Sequence, residues 1–220
     1  MRMRRKPWAR PELAACDFFI DEPLTMKGKW LSGFKKEQPI HLELGCGKGT
    51  FMAQLAFKNK DINYIAIDIK SEVLAVGRRN IVKKFEENNS EVENILMMSW
   101  DIERIDQIFD DNDKVDRIYI NFCNPWSREK HKKRRLTHTR QLELYKKILS
   151  SGGEIRFKTD DEGLYRDSLI YFKESGLDII FSTEDLHSLN LDDNIMTEHE
   201  EMFTQMGKNI YACNVVYNKK

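Results

Sequence analysis

Ile40-His41-Leu42-Glu43-Leu44-Gly45-Cys46-Gly47-Lys48-Gly49 is the stretch around which the rest of the chain is organised. Ile40, Leu42 and Leu44 alternate with polar residues as in a β-strand, Gly45, Gly47 and Gly49 make a turn, and Phe51, Leu55 and Phe57 continue at helical spacing. A glycine turn lets a bound molecule approach the backbone because no Cβ intervenes, and the helix beyond it points free N–H groups the same way.

The alternation continues downstream. Residues 64–67 form a second apolar strand ending at Asp68, and Leu74, Gly77, Ile81 and Phe85 a helical stripe. Residues 95–98 form a third strand, followed by a short helix with Ile105, Ile108 and Phe109, and residues 117–122 a fourth. A long basic loop leads to a helix with Leu142, Tyr145 and Leu149, closed by Gly152-Gly153; residues 154–158 are the fifth strand, and its helix carries Tyr165, Leu169 and Phe172. Such alternation predicts a parallel sheet with helices on both faces. Residues 177–182 and 210–217 are the last two strands, and with no amphipathic helix evident between them they pair antiparallel.

With 220 residues, 40% of them hydrophobic and 33% charged, the chain reads as one soluble globular domain. No apolar run reaches the length of a membrane span and the basic N-terminus lacks the apolar segment of a signal peptide, so a cytoplasmic location is expected. Cys16, Cys46, Cys123 and Cys213 are scattered, which indicates neither a zinc site nor a disulfide framework. The 36 basic and 36 acidic residues balance, but they segregate. Arg2, Arg4, Arg5, Lys6 and Arg10 form one basic cluster, and Arg128, Lys130, Lys132, Lys133, Arg134 and Arg135 a second, whereas Asp110, Asp111, Asp113 and Asp116 gather elsewhere. Segregated charge on a neutral chain suits a polyanion docked on one face.

In open α/β sheets ligands lie at the carboxyl ends of the strands. Those ends carry Glu43 and the glycines, Asp68, Asp101, Asn121 with Asn124, and Lys158, Thr159 and Asp160. A dinucleotide fold would need glycine at position 50, where Thr50 stands. The Gly-x-Gly-x-Gly spacing, with Glu43 two residues ahead, instead resembles the first motif of the S-adenosylmethionine-dependent methyltransferases, and an acid there suits a ligand bearing a sulfonium and an ammonium. Asp68 stands where an acid accepts from both ribose hydroxyls, or else caps the next helix; Asp101 either accepts from the adenine amino group or caps the short helix after it.

A more specific likeness lies in Asn121-Phe122-Cys123-Asn124-Pro125-Trp126-Ser127-Arg128 and the Lys/Arg/His-rich run that continues to Arg135, Leu136 and Thr137. With Phe157-Lys158-Thr159-Asp160, Asp185-Leu186-His187 and Thr197-Glu198-His199-Glu200, these motifs closely resemble the bacterial tRNA (guanine-N7-)-methyltransferases, in that family's order. The resemblance implies a Rossmann-like, doubly wound α/β fold of the class I methyltransferases, with a mostly parallel seven-stranded sheet and an antiparallel last strand. Residues 1–35 would be a basic, partly flexible extension and 36–220 the methyltransferase domain. The implied reaction takes a methyl group from S-adenosylmethionine to guanine N7 in tRNA, at guanine-46 of the variable loop. The partner is then tRNA, with neither membrane nor metal, and the chain a monomer or homodimer. Glu43, Gly45, Gly47, Gly49, Asp68, Asp101 and Asn124 would hold the cofactor. Arg128, Asp160, Thr197, Glu198, His199 and Glu200 would hold the base, with Glu198 or Glu200 accepting from guanine N1–H and the exocyclic amine. Lys130, Lys132, Lys133, Arg134 and Arg135 would grip RNA phosphates.

Asn124 departs from the family, which has Asp before Pro-Trp as its proposed catalytic residue. Guanine N7 carries no proton at neutral pH, so methyl transfer needs alignment and tolerance of positive charge rather than a base. An Asp stabilises that charge; an Asn offers a carbonyl dipole, and losing a charge-assisted hydrogen bond costs roughly 1.5–3 kcal/mol, about 10- to 100-fold in rate. The expectation is a slower enzyme, or one compensated by Asp160 or Glu200. Two other readings follow from Asn124: an exocyclic-amine methyltransferase acting on RNA or DNA, and an RNA-binding protein of the same fold with weak or no turnover.

Overall fold

The computed structural model describes residues 6–219, so Arg2, Arg4 and Arg5 lie outside the described residues. The chain divides into two compact units, one up to Asp113 and one from Lys114 onward, a boundary inside the stretch expected as a single domain.

In the first unit, α1 (Ala9–Ala14) and the two-residue β1 (Phe19–Ile20) precede β2 (Ile40–Leu44), α2 (Thr50–Lys58), β3 (Asn63–Asp68), α3 (Ser71–Glu86) and β4 (Ile95–Ser99). Its strands pair parallel in the order β1-β4-β3-β2. All of β2, and β3 up to Ile67, is buried, which is why Tyr64, Ile65, Ala66 and Ile67 read as a continuous apolar run rather than an alternation. The expected helix after β4 is a 3-10 segment, Ile102–Gln107.

β1 is a strand beyond the expected seven, and it lies in the segment expected to be partly flexible. From Lys6 onward that segment makes tertiary contacts. Arg79 of α3 stacks its guanidinium 3.8 Å from the centroid of the Trp8 ring and pairs with Glu12 of α1 at 2.5 and 2.8 Å. Trp30 is fully buried, stacks on Phe109 with centroids 5.1 Å apart, and donates its indole N–H to the Ile108 carbonyl at 2.7 Å. Asp113, itself buried, accepts from the backbone N–H groups of Gly28 (2.7 Å), Trp30 (3.1 Å) and Asp110 (3.0 Å).

The second unit runs β5 (Val115–Asn121), α4 (Thr139–Ile148), β6 (Leu149–Thr159), α5 (Glu162–Glu174), β7 (Asp178–Thr183), α6 (Glu198–Gln205) and β8 (Tyr211–Tyr217). β5 and β6 are parallel, and β8 runs antiparallel to both β6 and β7, in the order β5-β6-β8-β7. The last strand is therefore reversed, as expected. Two details differ from the sequence reading. β6 begins directly after α4, so Gly152 (φ +82°) and Gly153 bend the strand instead of closing the helix. The polar segment before β8 does contain a helix, α6, which opens on a capping box and packs Phe203 against Leu186, Ile210 and Ala212.

Candidate active site

In the first unit, the turn after β2 is made by three glycines with positive φ: Gly45 (+82°), Gly47 (+54°) and Gly49 (+64°). Only glycine takes such angles without strain. They serve two purposes. A Cβ at Gly45 or Gly47 would meet nothing within 4 Å, so that side of the turn is open for a ligand to lie on the backbone. A Cβ at Gly49 would come within 3.2 Å of the Gly77 Cα, so the third glycine lets the turn press against α3. α2 starts at Gly49 with no side-chain cap.

The Ile67 carbonyl accepts from both Gly45 N–H (2.8 Å) and Cys46 N–H (3.0 Å), tying the turn to β3. Asp68 completes the tie, its Oδ2 accepting from Gly47 N–H at 3.1 Å and its Oδ1 from Lys70 N–H at 3.0 Å. A carboxylate has about four lone-pair sites, so each oxygen can still accept from a hydroxyl. The N-cap of α3 is Lys70 rather than Asp68. Glu43 is buried at the end of β2. Burial pushes the Cys46 thiol well above its usual pKa, and Glu43 and Asp68 push it further; these two carboxylates beside the turn are the groups a cationic ligand would meet. Asp101 caps the 3-10 segment, its Oδ1 accepting from Glu103 N–H at 3.1 Å. The exposed Ile69 offers apolar surface next to Asp68, a contribution that periodicity does not reveal.

In the second unit, the chain leaves β5 through two bulky residues in the left-handed region, Phe122 (φ +50°) and Trp126 (φ +41°). Such angles cost on the order of 1–3 kcal/mol each and persist only where neighbours fix them. Phe122 N–H donates to the Lys158 carbonyl at 2.9 Å, and Trp126 N–H donates to Asn124 Oδ1 at 3.0 Å. The second bond fixes which way the Asn124 amide faces: a backbone donor must meet the carbonyl end, so the exposed side chain turns its Nδ2 donor outward. The carbonyl dipole expected to meet the substrate is already engaged.

The basic run divides by environment. Arg128, Lys130, Lys133 and Arg134 are exposed, and the Arg134 guanidinium lies 4.3 Å from the Trp126 ring centroid. Arg135, expected on a phosphate, is instead buried, donating to the Pro125 carbonyl at 2.7 Å and to Asp167 at 2.5 Å. Lys132 pairs with Asp167 (3.1 Å) and Glu129 (2.9 Å). Burial opposes charge on Asp167, but hydrogen bonds from Arg135 and Lys132 outweigh it and hold the carboxyl below its usual range. Arg135 is thus a structural arginine.

Glu200 is the larger correction. Its side chain has no exposure, and its oxygens accept from Lys158 Nζ (3.0 Å), Asn194 Nδ2 (2.7 Å) and Thr197 N–H (3.4 Å), with His187 Nε2 at 3.0 Å. Thr197 Oγ1 accepts from Glu200 N–H at 2.9 Å, closing a capping box at the start of α6. So enclosed, Glu200 reaches neither a base nor the charge that Asn124 fails to balance. Burial raises its pKa, but Lys158, Asn194 and His187 together bring it below the ordinary value, whereas burial lowers that of Lys158. Thr197 is likewise buried. Glu198 and His199 stay exposed, with the His199 ring stacked on Phe122 at 6.1 Å. Asp160 accepts from Lys208 Nζ at 2.6 Å, and Asp161 caps α5. His187 and Asn194 belong to motifs that carry the resemblance but were given no role, and Lys208 went unread; the pattern Thr-x-x-Glu was the available signal for the capping box.

Residues 37–213 match a family model described as "Putative methyltransferase". A protein of Clostridium perfringens (strain 13 / Type A) named tRNA (guanine-N(7)-)-methyltransferase is 59% identical over 208 residues, covering 94% of this chain and 95% of its own length. The chain belongs to the bacterial tRNA (guanine-N7-)-methyltransferase family. A relative of the same name from Ruminiclostridium cellulolyticum is 53% identical, covering 100% of this chain and 94% of its own. Among solved structures, an antibiotic-related methyltransferase superposes with a TM-score of 0.61 at 15% identity, covering 86% of this chain and 90% of that one. The 16S rRNA methyltransferase KamB does so with a TM-score of 0.59 at 10% identity, covering 83% and 89%. These two carry the fold, which is Rossmann-like and of class I. Family and fold together imply use of S-adenosylmethionine, and the open glycine turn beside Glu43 and Asp68 fits it. No helix of the described residues is long and apolar enough to cross a membrane.

Proposed function

We propose that the chain transfers a methyl group from S-adenosylmethionine to N7 of a guanine in tRNA, guanine-46 of the variable loop by family likeness. The observation that favours N7 over an exocyclic amine is the family: relatives 59% and 53% identical over most of this chain are named tRNA (guanine-N(7)-)-methyltransferase. N7 has a free in-plane lone pair and requires no acceptor.

When bound, S-adenosylmethionine supplies a methyl carbon that N7 attacks, the C–S electron pair staying on sulfur and the positive charge passing to the purine. The chain's own residues bind and align. Gly45 and Gly47 admit the cofactor to the backbone, Glu43 favours its cationic portion, Asp68 accepts from its ribose hydroxyls, and Asp101 from its adenine amine. On the substrate side, Glu198 accepts from guanine N1–H and the exocyclic amine, His199 and Asp160 flank the base, and Thr197 and Glu200 hold α6 in place. Arg128 also holds the base, and Lys130, Lys133 and Arg134 meet RNA phosphates. The methyl transfer as written uses no metal, and a tRNA substrate supports a cytoplasmic location.

Incubation with labelled cofactor and unmodified tRNA, followed by nucleoside mass analysis, tests this. N7-methylguanosine is the expected product. A methylated exocyclic amine would replace the proposal with the amine reading, and cofactor binding without transfer with the RNA-binding one.

A further inference from the structure

We infer that His199 is the shelf on which the target nucleobase stacks, its ring backed by Phe122. The inference rests on the methyl transfer to tRNA proposed above. Among the described Phe, Tyr, Trp and His residues, His199 alone is exposed. Its ring lies 19° from parallel to the Phe122 ring with centroids 6.1 Å apart, and the Phe203 ring closes the group at 5.8 Å from Phe122 and 6.2 Å from His199. No described residue hydrogen-bonds the His199 imidazole. An exposed ring with one face packed on another ring keeps its second face for a planar ligand, and a base laid there extends the aromatic column.

Lys158 sets the two rings face to face. Its carbonyl accepts from Phe122 N–H at 2.9 Å, holding Phe122 at a φ of +50°, and its ammonium meets Glu200, the neighbour of His199, at 3.0 Å. The capping box between Thr197 and Glu200 fixes the same turn of α6. Every base has a π-face, so such a shelf captures a nucleotide turned out of its loop without reading its edge, and the reading falls to groups such as Glu198. Two other planar groups of this unit are less well prepared. The Trp126 ring carries the Arg134 guanidinium 4.3 Å from its centroid and the tilted His131 ring at 5.8 Å. Arg128 is exposed, and a guanidinium also stacks on bases, but no described residue pairs with its side chain to fix the plane.

The test is a cycle between the ring and the base. Dissociation constants are measured, with S-adenosylhomocysteine in place of the methyl donor, for tRNA carrying the target guanine and for the same tRNA with an abasic nucleotide there. His199→Ala should weaken binding of the guanine tRNA about fivefold or more and leave binding of the abasic tRNA unchanged. His199→Tyr, which restores a ring, should bind both as the wild type does. A merely structural role for His199 would weaken both RNAs alike. That outcome would overturn the inference, as would no loss in His199→Ala, no recovery in His199→Tyr, or a loss confined to the guanine tRNA in Arg128→Gln but not in His199→Ala. Mass analysis of the wild-type product reports separately on the parent proposal: if no methyl group reaches guanine N7, that reading fails whatever the cycle shows.

Discussion

Lys158, near the end of β6, meets Glu200 of α6 at 3.0 Å, and the carboxylate it meets is wholly enclosed. Removing one partner of a buried pair strands the other's charge in low dielectric, at a cost of about 3–5 kcal/mol. Glu200→Ala should therefore lower unfolding free energy by roughly 3 kcal/mol or more in urea titrations. A variant with native stability and a selective loss of guanine binding would show instead that Glu200 contacts the base.

The pair also sets a pH dependence. The Glu200 pKa in the folded chain lies below its ordinary value of 4.5, so the unfolded chain binds the proton more readily. Its contribution to stability is complete above about pH 4.5 and is lost as pH falls through the lower folded value. Comparing wild type with Glu200→Gln across pH 3 to 7 by thermal unfolding should show a difference that shrinks at the acid end. A gap that widens on acidification would contradict the assigned direction.

Gly47 and Gly49 should respond differently to alanine. Both carry positive φ, which costs about 1–2 kcal/mol for a side-chain-bearing residue. Alanine at Gly47 faces open space, so its main effect should be on cofactor affinity, about tenfold or more by calorimetry. At Gly49 the new methyl also presses on the backbone of Gly77 at 3.2 Å, so stability should fall further than in Gly47→Ala. Equal destabilisation by the two would argue that the turn bears on packing alone.

The basic loop offers a similar contrast. Lys130→Gln and Lys133→Gln should weaken tRNA binding and reduce the slope of log Kd against log salt by up to about one each. Arg135→Ala should act through stability, by roughly 3 kcal/mol, because it strips the Pro125 carbonyl of its donor and leaves Asp167 with Lys132 alone. An Arg135→Ala protein that unfolds like the wild type yet binds tRNA poorly would return Arg135 to the phosphate-binding set.

What the sequence disclosed was local. The glycine turn, the acid at the end of β3 and the reversed β8 each follow from spacing within a few residues, and each stands where expected. What it concealed depends on partners far along the chain. Arg135 sits in a run of exposed cations, and only Asp167, more than thirty residues away, separates it from them. The acids from Glu198 to Glu201 look alike, yet the capping geometry turns Glu200 inward while Glu198 stays outside. The N-terminal segment has no periodicity because Trp8, Trp30 and the loop at Gly28 are fixed by Arg79, Phe109 and Asp113, not by a repeating face.

The anchor of Arg135 on Pro125 and Asp167 has a consequence for association. One buried guanidinium pins the far end of the cationic loop to the backbone beside Trp126, while Arg134 lies stacked on that ring. In the proposed RNA-binding role, the loop's charges are displayed from a frame held at both Pro125 and Asp167, so less conformational freedom is surrendered on docking and encounters in the right orientation should be held rather than released.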